Sequence, residues 1–476
     1  MSTGAPASDN STAHGAAVVA GVEANDDATS AASRFGYRQE LKRALTPFDL
    51  LVYGMVLMVP IAPFTIFGFV MQESKGMIAL AYLFGMAGML FTALSYAVMA
   101  RAFPIAGSVY AYVQRGLHPT AGFLSGWLIL LDYILIPSLL YLLSALALSS
   151  LLPQVDKRIW VVAFIACNAL VNLRGIEFTA AANRIMLWFQ LAVLALFVVV
   201  GLWVLYHGAG AGRLTWLPLF DAKSFNIATI AGATSIAVLS FLGFDGISTL
   251  AEENRGGSRS VGRATIWALV LVGGVFVLQT WIAADLARGM PKLDPDTGFY
   301  DVVGMSCGTW LKVLALVATA IANGVANAMA AQGAVARILY AMARDRQLPA
   351  VLAKVHPRFR TPFASILVVT AISLLVSLGF SERVEDLTRL VNFGALTSFF
   401  LLHIAVIYHH LVKERSRRWG AHLVCPLLGM AVIGYVLLEM DETAKNLGIW
   451  WIAAGVLYYV VLRFGFHRAV APPPVT

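Results

Sequence analysis

The stretch VPIAPF, residues 59–64, interrupts the first long apolar run of the chain, residues 47–71. Pro60 and Pro63 lack the backbone N–H that a helix interior needs, so a regular helix cannot continue across them. Backbone groups without partners at membrane depth are tolerated only where they are buried in protein or line a water-filled cavity. The stretch therefore predicts a helix that is broken beside a cavity.

A second interruption lies in the sixth apolar run, residues 227–251. There the stretch FLGFDG, residues 241–246, has one glycine before and one glycine after an acid. Glycine destabilises a helix interior. The interruptions fall in the first and the sixth run. If the first ten runs form two halves of five, each interruption lies in the first run of its half. Paired interruptions are typical of transporters built from inverted repeats, whose site lies between the breaks near the bilayer midplane. Two unrelated kinks are the alternative interpretation.

The composition indicates that the folded chain is surrounded by lipid rather than by water. The chain has 476 residues, of which 59% are hydrophobic and 13% are charged, whereas about a quarter are charged in a soluble domain. About twelve apolar runs approach the roughly 20 residues that cross a bilayer, and they do not alternate as membrane strands do. The predicted fold class is an all-α membrane protein of about 12 transmembrane helices, in a five-plus-five inverted repeat with helices 1 and 6 broken. The predicted spans are 47–71, 76–100, 121–150, 159–174, 180–206, 227–251, 262–287, 310–343, 361–380, 386–410, 420–440 and 446–466.

The basic residues orient the chain in the membrane. With the N-terminus inside, about two thirds of the 34 Lys and Arg residues fall in cytoplasmic segments, as the positive-inside rule requires. Both termini are therefore predicted to be cytoplasmic. The net charge of +8 does not indicate nucleic-acid binding, because the basic residues are spread over short loops.

The predicted organisation is one membrane domain with two tails. Residues 1–33 are polar and of low complexity, which predicts a disordered cytoplasmic tail rather than a signal peptide. Residues 34–466 are predicted to form a single transmembrane domain, and residues 467–476 form a C-terminal tail.

Chemistry other than transport has little support in the sequence. The three cysteines fit neither a metal site nor a disulfide framework, and Cys167 and Cys425 are predicted to be buried small hydrophobes. His403 and the adjacent His409 and His410 have no metal-ligand partner at a useful spacing, so no metal and no cofactor are predicted. We find no nucleophile–base set, no phosphate-binding glycine loop and no repeated filter loop of a channel.

Asp245, inside the second interruption, is the strongest candidate for a substrate contact. A carboxylate at mid-membrane costs several kcal/mol unless it is paired or hydrated, and it can accept the protons of an ammonium group. A structural acid bonded to freed backbone amides is the alternative. The other substrate-binding candidates belong to the two breaks or to an acid–tyrosine pair in the third run: Ile61, Ala62, Pro63, Phe64, Thr65, Asp132, Tyr133, Phe241, Gly243, Phe244 and Gly246.

Three acids are candidates for coupling or gating. Asp132 either titrates during transport or anchors a neighbouring helix. Glu252 and Glu253 end the sixth run, close in sequence to arginines at positions 255, 259 and 263. They form either an inner gate or solvated charges at the membrane surface.

Several motifs carry a resemblance to a known family. They are FPIAGSVY at 103–110, GW at 126–127 with LDY at 131–133, FLGFDGIS at 241–248, ARILY at 336–340 and NFGAL at 392–396. On these motifs the chain, from about residue 38 to residue 466, resembles the amino acid/polyamine/organocation permeases, and within that superfamily the bacterial putrescine importers. The resemblance implies the five-plus-five inverted-repeat fold first described in a sodium-coupled leucine transporter.

Two departures from these relatives affect the expected substrate and its coupling. The putrescine importers carry an aspartate in the broken first helix, where this chain has Thr65. With one acid missing, we expect a substrate with one positive charge next to an apolar body; a second counter-charge at Asp132 is the alternative. Many relatives place a lysine in the fifth helix, where this chain has Gln190, which is therefore a coupling candidate.

The predicted function is secondary active transport. The chain is expected to import amino acids or small amines, including polyamines, across the inner membrane with proton coupling. Exchange of one amine or amino acid for another is the alternative. The expected partners are the substrate, protons and the lipid bilayer.

Overall fold

The computed structural model describes residues 41–152, 154–295, 297–381, 384–440 and 442–465. Within these ranges the chain is helical, and the only β feature is a bridge between Leu45 and Asn254. The prediction of an all-α protein is confirmed. The predicted tails, residues 1–33 and 467–476, lie outside the described residues.

Most helices follow the predicted apolar runs, while two short ones, Ser108–Gly116 and Gly298–Cys307, lie between runs and were not predicted. The first part of the chain forms α1 (Pro47–Met58), α2 (Pro63–Glu73), α3 (Ile78–Ala102), α4 (Ser108–Gly116), α5 (Pro119–Leu151), α6 (Lys157–Arg174), α7 (Ile176–Tyr206) and α8 (Ile227–Ala237). The second part forms α9 (Ser258–Leu286), α10 (Gly298–Cys307), α11 (Thr309–Ile321), α12 (Ala328–Arg344), α13 (Phe363–Gly379), α14 (Val384–Ile407), α15 (Cys425–Glu439) and α16 (Glu442–Val460).

The lengths of these helices fit a multi-pass membrane protein. In the described part of the chain, nine helical spans are long and apolar enough to cross a membrane, or ten when the bent pair α1–α2 counts as one span. The apolar α13 is shorter than these spans. The multi-pass prediction is confirmed, while the count of twelve crossings and the inverted repeat stay predictions.

The first predicted break is present between α1 and α2. The two helices meet at 53°, and Val59, the residue after α1, has a positive φ of 50°. The carbonyl oxygen of Pro60, which has no helical partner, accepts a hydrogen bond of 2.9 Å from Nε2 of Gln279 in α9. A side chain of a neighbouring helix thus satisfies the backbone that the prolines release.

The second predicted break is present after α8. A 3₁₀ turn at Val238–Phe241 leads to an extended Leu242 and then to Gly243 at φ +110°. Only glycine adopts such a φ without strain, and a Cβ at this position would lie 2.9 Å from the carbonyl oxygen of Leu57 in α1. The chain continues as a second 3₁₀ helix, Phe244–Glu253. The glycine therefore allows the two breaks to touch.

A third irregularity was not predicted. Residues Ala322–Asn327, between α11 and α12, form a π-helical turn. Such turns are rare and occur frequently at functional sites. The turn lies in the middle of a span that the sequence predicts to be one regular helix.

The cysteines only partly follow the prediction. Cys425 is buried as expected, whereas Cys167 on α6 is exposed, so its predicted burial is wrong. Apolar composition in a membrane helix does not separate the face that meets lipid from the face that meets protein, because both are apolar.

Candidate substrate site between the broken helices

A cavity of about 90 Å³ lies where the two breaks meet α5 and the π-helical turn. One water molecule needs about 10–15 Å³ of such space, so several waters or part of a small organic ligand fit. The lining is mostly apolar, and its polar side chains include Thr65, Asp132, Tyr133, Asn323 and Asn327. An apolar cavity with a few convergent polar groups is the usual form of a small-molecule site.

Asp245 lies directly after the second break and is buried, with 1% of its surface exposed. Its Oδ2 accepts a hydrogen bond from the hydroxyl of Tyr133, a residue that lines the cavity. Its Oδ1 has no hydrogen-bond partner of ordinary geometry among the described residues, although the Ser108 hydroxyl and the Gly243 backbone lie close enough to interact with the carboxylate. Asp245 is not among the residues that line the cavity, so the Tyr133 hydroxyl connects the acid to it, and the carboxylate keeps spare acceptor capacity.

Asp132 brings a second carboxylate to the same place. It lies one residue before Tyr133 on α5, lines the cavity and is 4% exposed. Its Oδ1 also lacks a hydrogen-bond partner within the described part of the chain, and it is near enough to Asp245 for the two charges to interact. One buried carboxyl group, Asp132, therefore lines the cavity, and a second, Asp245, is hydrogen-bonded to the lining residue Tyr133.

The residues of the first break divide into two groups. Ala62 and Thr65 line the cavity, and the Thr65 hydroxyl donates a 2.9 Å hydrogen bond to the carbonyl oxygen of Ala62. Ile61 and Pro63 are buried and are not part of the lining. Substrate contact at Ile61 and Pro63 stays a prediction.

The aromatic candidates pack away from the cavity. Phe64 stacks on Phe299 with ring centroids 3.8 Å apart, and Phe241 packs edge-on against Phe276 at 5.2 Å. Phe244 packs against Phe399 at 5.7 Å. In this conformation these rings stabilise the helices that carry the breaks, and cation contact by them stays a prediction.

The two glycines of the second break serve close packing. Gly243 lines the cavity, while a Cβ at Gly246 would lie 2.4 Å from Cδ1 of Leu57 and 3.7 Å from the Tyr133 hydroxyl. A larger residue at either position would push the sixth run away from α1.

Asn323 and Asn327 lie four residues apart on one helix face, and the sequence predicts that they hydrogen-bond across helices rather than contact substrate. Both lie on the π-helical turn and line the cavity, so they are candidate site residues that this prediction did not include. Polar side chains inside a membrane span face the bundle interior or a cavity, which is the signal that could have identified them.

Glu253 and Arg337 form a buried ion pair at one end of the site. The guanidinium Nε of Arg337, on α12, donates to a carboxylate oxygen of Glu253, and the two side chains are only 7% and 5% exposed. Nearby, the Tyr53 hydroxyl of α1 donates a 2.5 Å hydrogen bond to the carbonyl oxygen of Ala330. Three helices are therefore held together by polar groups at this end.

Glu252 makes a second ion pair beside the first. Nη2 of Arg344 lies 2.9 Å from its Oε1, and the side chains are 14% and 1% exposed. The same Oε1 accepts a 3.0 Å hydrogen bond from the backbone N–H of Ala106. Both acids are thus buried and paired, so the interpretation as solvated surface charges is wrong. Their partners come from α12 and not from the neighbouring arginines; Arg255, for example, donates to the carbonyl oxygen of Arg43.

The segment before α1 closes this end further. The backbone N–H groups of Ala44 and Leu45 both donate to the carbonyl oxygen of Glu253, at 3.0 and 3.1 Å, and the N–H of Arg255 donates back to Leu45 at 2.9 Å. Along the sixth run and along α11–α12, the cavity residues precede the ion pairs. The cavity therefore lies at the level of the breaks, and the ion pairs and the segment before α1 close the structure on one side of it.

The amino acid permease family matches residues 50–462 of the chain. This chain belongs to the amino acid permease family. The permease is 33% identical over 443 residues to the low-affinity putrescine importer PlaP of Escherichia coli, which covers 91% of this chain and 96% of the relative. It is 24% identical to the branched-chain amino acid permease BcaP of Bacillus subtilis, over 89% of this chain and 94% of the relative.

A third relative is matched over a smaller share of its own length. The permease is 25% identical to cationic amino acid transporter 4 of Mus musculus, over 77% of this chain and 60% of the relative. Family and relatives confirm the resemblance that the motifs indicated. The permease is a transporter of amino acids or amines and not an enzyme.

Gln190 of the permease occupies an unusual position. It is fully buried, and neither atom of its amide has a hydrogen-bond partner among the described residues. Asn183, two helical turns earlier on α7, shares both properties. Buried amides normally have partners, so this face of α7 is an exception; a coupling role for Gln190 stays a prediction.

The prediction for His403 agrees with the structure, whereas the prediction for His409 and His410 does not. His403 is buried and lies 2.9 Å from the Ser95 hydroxyl and 3.3 Å from the Thr92 hydroxyl, as expected of a structural residue. The expectation that His409 and His410 lack a ligand partner is wrong, because the chain after α14 folds back and brings the Glu414 carboxylate to both rings.

Proposed function

We propose that the permease imports short diamines and related polyamines across the inner membrane by alternating access. The cavity between the breaks is the substrate site, and the ion pairs of Glu252 and Glu253 form the gate on the cytoplasmic side. The assignment of that side follows the distribution of basic residues, and it places both termini in the cytoplasm.

The observation that carries the proposal is a pair of neighbouring buried carboxylates, Asp132 in the lining of the cavity and Asp245 hydrogen-bonded to the lining residue Tyr133. An ammonium group at membrane depth needs a fixed counter-charge, since water is scarce there. Asp245 and Asp132 each keep an oxygen without a hydrogen-bond partner in the described structure, and charge-assisted hydrogen bonds to such oxygens are strong. A dication would neutralise both acids, whereas a monoamine would leave one uncompensated.

This proposal revises the expectation of a singly charged substrate. That expectation considered only the two breaks, where Thr65 replaces an acid. The third run supplies the missing charge from α5, and the similarity to a putrescine importer supports the same substrate class.

Amine competition tests the substrate class. Thermal shifts of the purified permease would be compared for putrescine and butylamine, which share a four-carbon body but differ by one ammonium group. A hydrogen bond to a charged group contributes about 1.5–3 kcal/mol, so putrescine should bind about 10- to 100-fold more tightly. Asp132→Asn should remove this preference and keep butylamine binding, while Asp245→Asn should weaken both ligands and abolish uptake.

The control is Asp301→Asn, because Asp301 is a partly exposed acid paired with Lys312 outside the site. It should leave both affinities unchanged. A wild-type protein that prefers butylamine, or an Asp132→Asn variant that retains the preference for putrescine, would contradict the role of the second carboxylate.

Proton coupling is part of the proposal. Intramembrane acids commonly relay protons. In proteoliposomes, an imposed inward proton gradient should accelerate putrescine uptake when the lumen contains no amine. Uptake that ignores the gradient and requires amine in the lumen would instead identify an exchanger.

A further inference from the structure

A compact group of metal-ligand side chains follows α14, far along the chain from the substrate site. A π-helical segment, Tyr408–Lys413, extends α14, and a second, Gly420–Val424, precedes α15. His409 and His410 lie on the first segment and Glu414 directly after it. The two imidazoles and the carboxylate offer ligand atoms that all lie within 4.8 Å of one another.

The π-helical backbone explains how adjacent histidines reach one carboxylate. In an α-helix, consecutive side chains point about 100° apart, and a residue faces those three and four positions away. Here the N–H of Glu414 bonds to the carbonyl oxygen of His409, which is the five-residue spacing of a π-helix. As a result, His409 Nε2 lies 3.2 Å from Glu414 Oε1, and His410 Nδ1 lies 2.5 Å from Oε2.

Hydrogen bonds alone leave this cluster incompletely satisfied. One carboxylate serves both rings, while His409 Nδ1 and His410 Nε2 are buried with no partner in the described part of the chain. The other nitrogen of each ring, His409 Nε2 and His410 Nδ1, faces the carboxylate and is the one that an ion shared with Glu414 would bind. A third imidazole, His422, stacks on His410 with ring centroids 4.2 Å apart. Glu414 is half exposed, which leaves an entry path and room for water ligands.

We propose that His409, His410 and Glu414 bind a divalent late transition-metal ion, with Zn²⁺ as the representative. Two histidines and one carboxylate are a zinc ligand set, completed by water in a tetrahedral site. Imidazole ligands favour such ions, whereas Ca²⁺ and Mg²⁺ take oxygen ligands. The same loop carries Lys413 and three arginines, so coordination rather than long-range attraction holds the ion.

The site would join two parts of the bundle. The ring of His409 packs against Phe103, which follows α3, at 4.8 Å between centroids. An ion at His409 would therefore fix the end of α14 and its following loop beside α3. The inference is independent of the substrate class, since none of these residues lines the cavity.

Zinc titration of the purified full-length permease tests the site. With tags removed and metals stripped by a chelator, competition against a chromophoric zinc indicator should show about one high-affinity equivalent per chain. His410→Ala and Glu414→Gln should each weaken that equivalent at least about tenfold, since even a second-shell change costs 10- to 100-fold in metal affinity. His207→Ala and Cys167→Ser, which remove exposed potential ligands, are the matched controls and should bind as the wild type does.

Thermal unfolding gives a second measurement on the same proteins. Zn²⁺ should raise the melting temperature of the wild type and of both controls but not that of Glu414→Gln, and Mg²⁺ should have no such effect. Absence of a saturable equivalent in the wild type, or binding that is unchanged in His410→Ala and Glu414→Gln, would overturn the proposal.

Discussion

The buried ion pair between Glu253 and Arg337 is expected to determine how firmly the sealed end is held. Its side chains are 5% and 7% exposed, whereas those of the Asp301–Lys312 pair are 32% and 35% exposed. Removing one partner of a buried pair leaves an uncompensated charge and costs about 3–5 kcal/mol. An exposed pair contributes about 0–1 kcal/mol. Glu253→Gln should therefore lower the free energy of unfolding by several kcal/mol, and Lys312→Gln by no more than about 1 kcal/mol.

A double-mutant cycle separates the pair from its surroundings. Glu253→Gln/Arg337→Gln removes both charges, so the charge that each single variant leaves unpaired disappears. We expect the double variant to be more stable than the sum of the single changes predicts, by about 1–3 kcal/mol.

The assay is denaturant unfolding of the purified permease in a mild detergent, followed by tryptophan fluorescence. Additive single changes, or a Glu253→Gln variant no less stable than Lys312→Gln, would refute a gate held by this pair.

Three further predictions concern the backbone and the tail. Gly243→Ala should cost about 1–3 kcal/mol from its positive φ alone and should reduce uptake. The control is Gly274→Ala inside α9, where nothing lies within 4 Å of the added Cβ; it should leave uptake unchanged and raise stability by about 0.5–1 kcal/mol. Gln279→Leu leaves the Pro60 carbonyl oxygen without its partner, and the expected loss of about 1–3 kcal/mol is measurable by thermal unfolding; unchanged stability would show that water replaces the amide. Deletion of residues 1–33 should leave uptake in cells intact, given their polar composition, and inserted but inactive protein would contradict this.

The breaks could be predicted because their causes are local. Proline removes a backbone donor wherever it stands, and paired glycines around an acid mark backbone that packs closely. Pro60 and Gly243 therefore located both irregular segments and the acid beside them without any knowledge of the neighbouring helices.

The arginine partners of Glu252 and Glu253 could not be predicted in the same way. Arg337 and Arg344 lie 84 and 92 residues from the acids they pair with, while Arg255 is two residues from Glu253. The arginines nearest in sequence are not the ones that pair with the acids. The pairing depends on how α12 packs against the sixth run, and that tertiary contact cannot be read from the spacing of residues along the chain. The π-helical turn that carries Asn323 escaped prediction since residue composition does not distinguish it from an α-helix.

The hydrogen bond between Tyr133 and Asp245 has a consequence for the speed of the transport cycle. The hydroxyl already occupies one oxygen of the carboxylate, so an arriving ammonium group shares an acceptor instead of meeting a bare charge. The Tyr133 hydrogen bond already stabilises part of the carboxylate charge, so the bond that an ammonium group of the proposed substrate makes to the second oxygen is weaker than a bond to a bare carboxylate. Because affinity differences among related complexes lie mainly in dissociation rates, the cation leaves quickly. Tyr133→Phe should therefore lengthen substrate residence and slow turnover, making this tyrosine a device for release as much as for binding.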